Sequence, residues 1–307
     1  MERETVDGKV LVNKKSFFNS LKQYAKLMRI HHYLKNGLIF LPIVFSGNLL
    51  DKNDFIKVIL GFLAFSFAAS IVYIINDIQD VESDRMHEVK CKRPIASGAV
   101  SLIEAWVLVA ILSALIIFLI SLIKINTLGA FIIVGTYIGI NIMYSMGLKN
   151  KPLIDIAILA FGFLLRVIFG SVIIGVVTSN WLYLTVMAMS FYLGLGKRRN
   201  EIIKQGSNSR KVLKYYTKDF LDKNMYMCLA ITVVFYSLWT VDINTIARLS
   251  NENLVWTVPL VILICMKYSL NVEGNSHGDP VDVVLGDRVL LALIAIYAFV
   301  TFILIYI

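Results

Sequence analysis

Cysteine has almost no place in this sequence. Its three copies, Cys91, Cys228 and Cys265, have no metal-ligand spacing and make no even set for a disulfide framework. Charged residues are scarce too, at 17% of 307 residues against 58% hydrophobic, a balance outside the profile of a soluble globular domain. Runs such as LVAILSALIIFLISLI lack the polar–apolar alternation of a transmembrane barrel. Backbone polar groups in lipid must be satisfied internally, so helices remain. Residues 1–36 carry eight cations but lack the short apolar core and small-residue cleavage site of a signal peptide. No nucleic-acid module accompanies the net charge of +9, so no nucleic-acid partner is expected.

What the sequence has is a succession of apolar stretches, at 37–50, 55–76, 101–123, 125–147, 152–177, 180–196, 225–247, 254–272 and 289–307. Most approach the about 20 residues that cross hydrocarbon. The expected fold class is an all-α polytopic membrane protein of about nine transmembrane helices, with residues 1–36 as an interfacial lead-in. With the amino terminus inside, cytoplasmic segments hold most of the 30 Lys and Arg. Only Lys52, Lys57, Lys124 and Arg248 fall on the other side. The carboxyl terminus is then expected outside, and the informative polar residues gather on the cytoplasmic side.

The stretch NDIQDVESDRMHEVKCKRPIASG, residues 76–98, comes directly after an apolar run. A helix carried through it would present Asn76, Asp77, Asp80 and Asp84 on one broad face. Carboxylates so placed repel one another unless a cation sits among them. Mg²⁺ takes oxygen ligands, uses one or two carboxylates and keeps positions for substrate phosphates, which suits a diphosphate held through metal. The bland alternative is a helix end fraying into water with solvated acids. Arg85, Lys90 and Arg93 come next, able to grip phosphate oxygens or to serve only the positive-inside bias.

A second polar group comprises Asp155 and Arg166, eleven residues apart and about 16 Å along a helix axis, too far to pair. Arg166, within an apolar span, needs another buried acid, a helix carbonyl or an anionic substrate. Gly162 and Gly170 flank it and suggest close helix packing. Lys197, Arg198 and Arg199 stand at the mouth of the sixth span as anion candidates. GDPVDVVLGDR, with Asp279, Asp282 and Asp287, reads as a polar turn.

The pattern N-D-x-x-D-x-x-x-D at Asn76, Asp77, Asp80 and Asp84 resembles the first aspartate-rich motif of the UbiA superfamily of intramembrane prenyltransferases. LKNGLIFLP, DRMHEVKCKRPIASG, YSMGLKNKPLID, LGKRRNE and GDPVDVVLGDR, in that order, are similar to one branch, the decaprenyl-phosphate phosphoribosyltransferases. The superfamily's second motif, D-x-x-x-D, is incomplete, since Leu159 stands four residues after Asp155.

The resemblance implies a UbiA-like bundle whose residues 37–307 form a single catalytic domain. It also implies Mg²⁺ as cofactor, 5-phosphoribosyl 1-diphosphate as donor, a polyprenyl monophosphate as acceptor and a bacterial or archaeal cell membrane as the setting. Homo-oligomerisation is left open. Catalytic positions implied are Asp77, Asp80, Asp84, Lys149 and Asp155, with the metal on Asn76, Asp77, Asp80 and Asp84. Substrate contacts implied are Lys35, Asn36, Arg85, Lys90, Arg93, Tyr144, Lys149, Arg166, Lys197 and Arg198, with Lys149 preferred for the acceptor phosphate. Rival readings are a prenyltransferase acting on an aromatic or other apolar acceptor, and a transporter.

Overall fold

The computed structural model of the chain describes residues 14–206, 210–274 and 279–307. Among these there are helices and no strands. In order they are α1 (Lys14–Met28), α2 (Leu41–Phe45), α3 (Lys52–Gln79), α4 (Val81–Arg85), α5 (Leu102–Ile123), α6 (Thr127–Met146) and α7 (Ile154–Ile174). The remainder are α8 (Asn180–Gln205), α9 (Lys218–Val241), α10 (Ile243–Leu249), α11 (Val258–Glu273), α12 (Pro280–Leu285) and α13 (Arg288–Tyr306). Short polar side chains start most of the long ones. Ser101 and Glu104 close a capping box on α5, while Asp51, Asn126, Ser179, Thr217 and Asp287 cap α3, α6, α8, α9 and α13.

Among the described residues seven helices are long and apolar enough to cross a membrane: α3, α5, α6, α7, α9, α11 with the 3₁₀ turn before it, and α13. The other two expected spans take different forms among the described residues. Residues 180–196 lie within α8, whose 26 residues continue into the charged stretch KRRNEIIK. Residues 37–50 are no single α-helix. A 3₁₀ helix, Ile30–Phe40, leads into the short α2, and it runs across the boundary expected between lead-in and bundle.

That 3₁₀ helix sets the packing at this end of the bundle, because residues three apart in it eclipse one another. Asn36 and Ile39 are its buried positions and face α3 and α7. Tyr33, one turn earlier, shares a hydrogen bond with Ser70 of α3 at 2.8 Å. His32 and Lys35 form the neighbouring stripe.

Helix α3 is the central element, with 61% of its apolar window buried against 11% for the peripheral α13. Its 28 residues span about 42 Å, more than the about 30 Å of hydrocarbon, so charged ends project beyond the apolar layer. Phe65 packs on Tyr137 and Phe169, joining α3 to α6 and α7. A second apolar cluster joins α8, α9, α11 and α13 around Tyr192, Met225 and Tyr268. All three cysteines are free.

Candidate active site

The aspartate stretch departs from the single helix expected of it. Helix α3 stops at Gln79, the chain turns at Asp80 (φ −92°, ψ 5°), and α4 restarts at Val81. The turn nevertheless brings Asp77 and Asp84 together, at 3% and 1% exposure. Arg93 bridges them, with Nη1 donating to Asp77 Oδ1 at 3.1 Å and to Asp84 Oδ2 at 2.6 Å. Arg29, just before the 3₁₀ helix, donates to Asp77 Oδ1 at 2.7 Å and lies over the Tyr73 ring. Lys90 Nζ stands 4.0 Å from Asp84. Asn76 accepts a hydrogen bond from the Ser145 hydroxyl of α6.

Asp80 is half-buried, and its carboxylate has no hydrogen bond or ion pair among the described residues. Arg85 turns outward and pairs with Glu82 at 3.1 Å. No three His, Cys, Asp or Glu side chains stand together in metal-binding geometry among the described residues. The donor set still fits Mg²⁺, a hard ion that needs only one or two carboxylates. Asp80 offers an unengaged carboxylate at the turn of the chain between Asp77 and Asp84, which arginines now neutralise.

The second polar group is a closed network. Asp155 and Arg198 are both 0% exposed, and Arg198 Nε donates to Asp155 Oδ2 at 2.6 Å. The Tyr216 hydroxyl donates to Asp155 Oδ1 at 2.6 Å and accepts from the Leu153 amide at 2.6 Å. Arg198 also binds Glu201 at 2.7 Å and the Tyr144 hydroxyl at 3.1 Å, where Arg210 joins at 3.1 Å. Asp155, Tyr144 and Arg198 therefore meet, as three of the residues expected in a site, but they satisfy one another. Arg199 pairs with Asp222 at 2.5 Å. Lys149, in the 3₁₀ turn Leu148–Asn150, is half-buried with no ion pair among the described residues.

Arg166 is buried and finds neutral partners. Its Nε donates to Asn36 Oδ1 at 2.7 Å, Nη1 to the Gly162 carbonyl at 2.6 Å, and Nη2 to the Tyr137 hydroxyl at 3.2 Å. Asn36 Nδ2 in turn donates to Ser66 at 2.9 Å. Of the alternatives open to this arginine, a helix carbonyl is filled and another buried acid is not. Gly170 is a close contact, since a Cβ there would lie 2.3 Å from the Ile39 carbonyl oxygen.

Asp279, expected in a polar turn, caps α12 and meets Lys35 at 2.8 Å and Lys197 at 3.9 Å. Burial pushes its carboxyl up, but Lys35 and Lys197 more than offset this and hold it below the usual carboxylate range. This contact draws the LKNG and LGKRR stretches to Asp279 at the start of α12. Arg29 and Tyr216 are residues that sequence reasoning missed, and Asp279 is one that it read only as part of a turn. Only the three-residue spacing of Arg29, His32 and Lys35 hints at the first.

Beside Leu148 begins an apolar groove of about 410 Å³ between α6, α7 and α8, with Ile140, Phe161, Met187 and Phe191 in its walls. Comparison with known proteins bears on this arrangement. Residues 39–282 match the UbiA prenyltransferase family. The chain is 32% identical to the decaprenyl-phosphate phosphoribosyltransferase of Corynebacterium glutamicum, over 89% of this chain and 84% of that protein. It is also 32% identical to the enzyme of that name from Mycolicibacterium smegmatis, over 89% of each. Among solved structures, a UbiA homologue from Archaeoglobus fulgidus bound to GPP and Mg²⁺ superposes with a TM-score of 0.67. It covers 93% of this chain and 100% of that one at 19% identity, a likeness of fold. By the extent of the family match, this integral membrane protein belongs to the UbiA prenyltransferase family.

Proposed function

We propose that the chain transfers a 5-phosphoribosyl group from 5-phosphoribosyl 1-diphosphate to a polyprenyl monophosphate, releasing diphosphate. The carrying observation is the closed state of Asp155. Leu159 replaces a second carboxylate, and Asp155 is already held by Arg198 and Tyr216, leaving no second D-x-x-x-D pair among the described residues for a prenyl diphosphate. The named activity of the relatives at 32% identity supports the same reading.

In this reading Asn76, Asp77, Asp80 and Asp84 would hold Mg²⁺, whose charge would offset that of the departing diphosphate. Arg93 and Lys90 turn from their carboxylates to diphosphate oxygens, a charge-assisted exchange of one anion for another. Arg29 stays on Asp77 and keeps the residue fixed. The bond between ribose C1 and the diphosphate oxygen breaks with oxocarbenium character, and an oxygen of the lipid phosphate forms the new bond to C1.

The attacking phosphate is already an anion at neutral pH, so positioning matters more than deprotonation. Lys149 supplies that positioning, and the apolar groove starting at Leu148 takes the proximal part of the lipid chain. The Lys and Arg bias supports a cytoplasmic side for this end of the bundle and the amino terminus, with the carboxyl terminus outside.

The test is direct. Purified protein, Mg²⁺ and a polyprenyl phosphate are incubated with labelled 5-phosphoribosyl 1-diphosphate, and the expected result is a labelled lipid. An unlabelled lipid, with turnover of a prenyl diphosphate instead, rejects the proposal.

A further inference from the structure

We infer that His32 holds a ring hydroxyl of the donor's ribose, with Nδ1 as the hydrogen-bonding atom. The inference rests on the functional reading above and deepens it. Among the described residues His32 Nδ1 is buried without any hydrogen-bond partner. Buried polar atoms are paired in the great majority of cases, and an orphan at a site calls for a partner that arrives with the ligand.

The position of His32 identifies that partner. The 3₁₀ helix places His32 in line with Lys35, one turn on, while Arg29 precedes it by three residues. Arg29 is tied to Asp77 and Lys35 to Asp279, so the imidazole lies between the acidic turn and the start of α12. The charges acting on it most strongly belong to Lys35, His31, Asp279 and Arg29. Its ring also packs on Tyr73, at 5.6 Å between centroids, beneath the same Arg29.

The donor has matching polarity. It carries diphosphate at C1 and phosphate at C5, and its hydroxyl-bearing edge lies between these anionic ends. Basic groups flank His32, with Arg93 beside the Arg29–Asp77 pair on one side and Lys35 with Lys197 on the other. Phosphate groups fit those two sides, and the sugar edge falls to the residue between them. Burial, reinforced by the Lys35 ammonium, pushes the imidazole down to about 4. A neutral ring offers one acceptor and one donor nitrogen, which suits a hydroxyl; a cationic side chain is what a phosphate selects.

The experiment uses the full chain in lipid, with Mg²⁺, a polyprenyl phosphate, the natural donor and two donor analogues, one lacking the 2-hydroxyl and one the 3-hydroxyl. The wild type is expected to prefer the natural donor over one of the analogues by about 10- to 100-fold in kcat/KM, the range of a hydrogen bond to a buried partner. His32→Phe keeps the ring packing on Tyr73 and removes the nitrogen. It should lower kcat/KM for the natural donor by a similar factor, chiefly through KM, and erase the preference. His32→Asn, with its Oδ1 near the place of Nδ1, should restore part of that preference, and His32→Ala supplies the same comparison if the phenylalanine variant fails to fold. Undiminished discrimination in an active His32→Phe or His32→Ala overturns the inference alone. A wild-type chain that makes no labelled lipid overturns the functional reading and this inference with it.

Discussion

Replacing Gly170 with alanine tests the packing that sets the site. In an open helix position this change stabilises by about 1 kcal/mol, because glycine forfeits backbone entropy. At Gly170 the added Cβ would meet the Ile39 carbonyl oxygen at 2.3 Å and Pro42 Cγ at 3.1 Å. Ordinary carbon–oxygen contacts begin near about 3.3 Å, so α7 and the 3₁₀ helix must part by about 1 Å. The obstacle is backbone and cannot swing aside.

Arg166 lies one turn before Gly170, and Asn36 one 3₁₀ turn before Ile39. The same displacement therefore stretches their 2.7 Å bond beyond hydrogen-bonding range. Overpacking costs about 1–3 kcal/mol, and weakening a hydrogen bond to a charged group costs about 1.5–3 kcal/mol. Net of the helix gain, a loss of about 1.5–5 kcal/mol is expected. The assay is thermal unfolding in detergent beside Gly139→Ala on α6, where a Cβ meets nothing within 4 Å. Gly139→Ala should melt at or above the wild-type temperature, and Gly170→Ala several degrees below. If both variants melt alike, the close approach of the two helices is refuted.

Asp155→Ala strands a fully buried Arg198 with only Glu201 for charge, so a loss of about 3 kcal/mol is expected in the same melting assay. Lost activity with unchanged melting would instead make Asp155 a reacting group. Asp80→Ala, which removes a carboxylate without partners, should leave melting untouched and cut Mg²⁺-dependent turnover by about 100-fold; full activity would end the metal assignment. Lys149→Ala should raise the apparent KM for polyprenyl phosphate about tenfold, the scale of one charge-assisted hydrogen bond, with the donor KM unchanged. Equal KM values for the lipid would remove Lys149 from the acceptor site. Finally, His32 has a folded value of about 4 against about 6.5 when unfolded, so between these limits the unfolded chain binds the extra proton. Stability should decline as pH falls through that window, and His32→Phe should flatten the slope; an unchanged slope would show that His32 is not its source.

Hydropathy made the fold class legible, since uninterrupted runs such as 101–123 admit only a helix in lipid. The same measure was blind to Ile30–Phe40. There the polar residues His32, Lys35 and Asn36 look interfacial to a hydropathy window, yet a three-residue repeat buries Asn36 with Ile39 against the core. Four-residue spacing in the aspartate stretch pointed to one helix face. The chain reaches a similar gathering through a turn at Asp80, with Arg93 as the bridge. Spacing also showed that Asp155 and Arg166 could not pair. It gave no sign of Arg198 and Tyr216, because partners 43 and 61 residues away meet only through the fold. Asp279 read as a turn because capping a short helix and gripping two lysines use the same side chain, and only the first use leaves a local trace.

The ring of neutral groups around Arg166 carries a further consequence. Among the described residues no carboxylate cancels this guanidinium, so the centre of the bundle keeps a fixed positive potential. At about 10 Å and an effective dielectric of about 20, a unit charge repels another by about 1.7 kcal/mol, and more for a divalent ion. A cation held at the aspartate turn, as proposed above, would meet that barrier on any inward path. The same guanidinium would confine such a cation to its own end of the bundle, much as a buried arginine bars protons from a water pore.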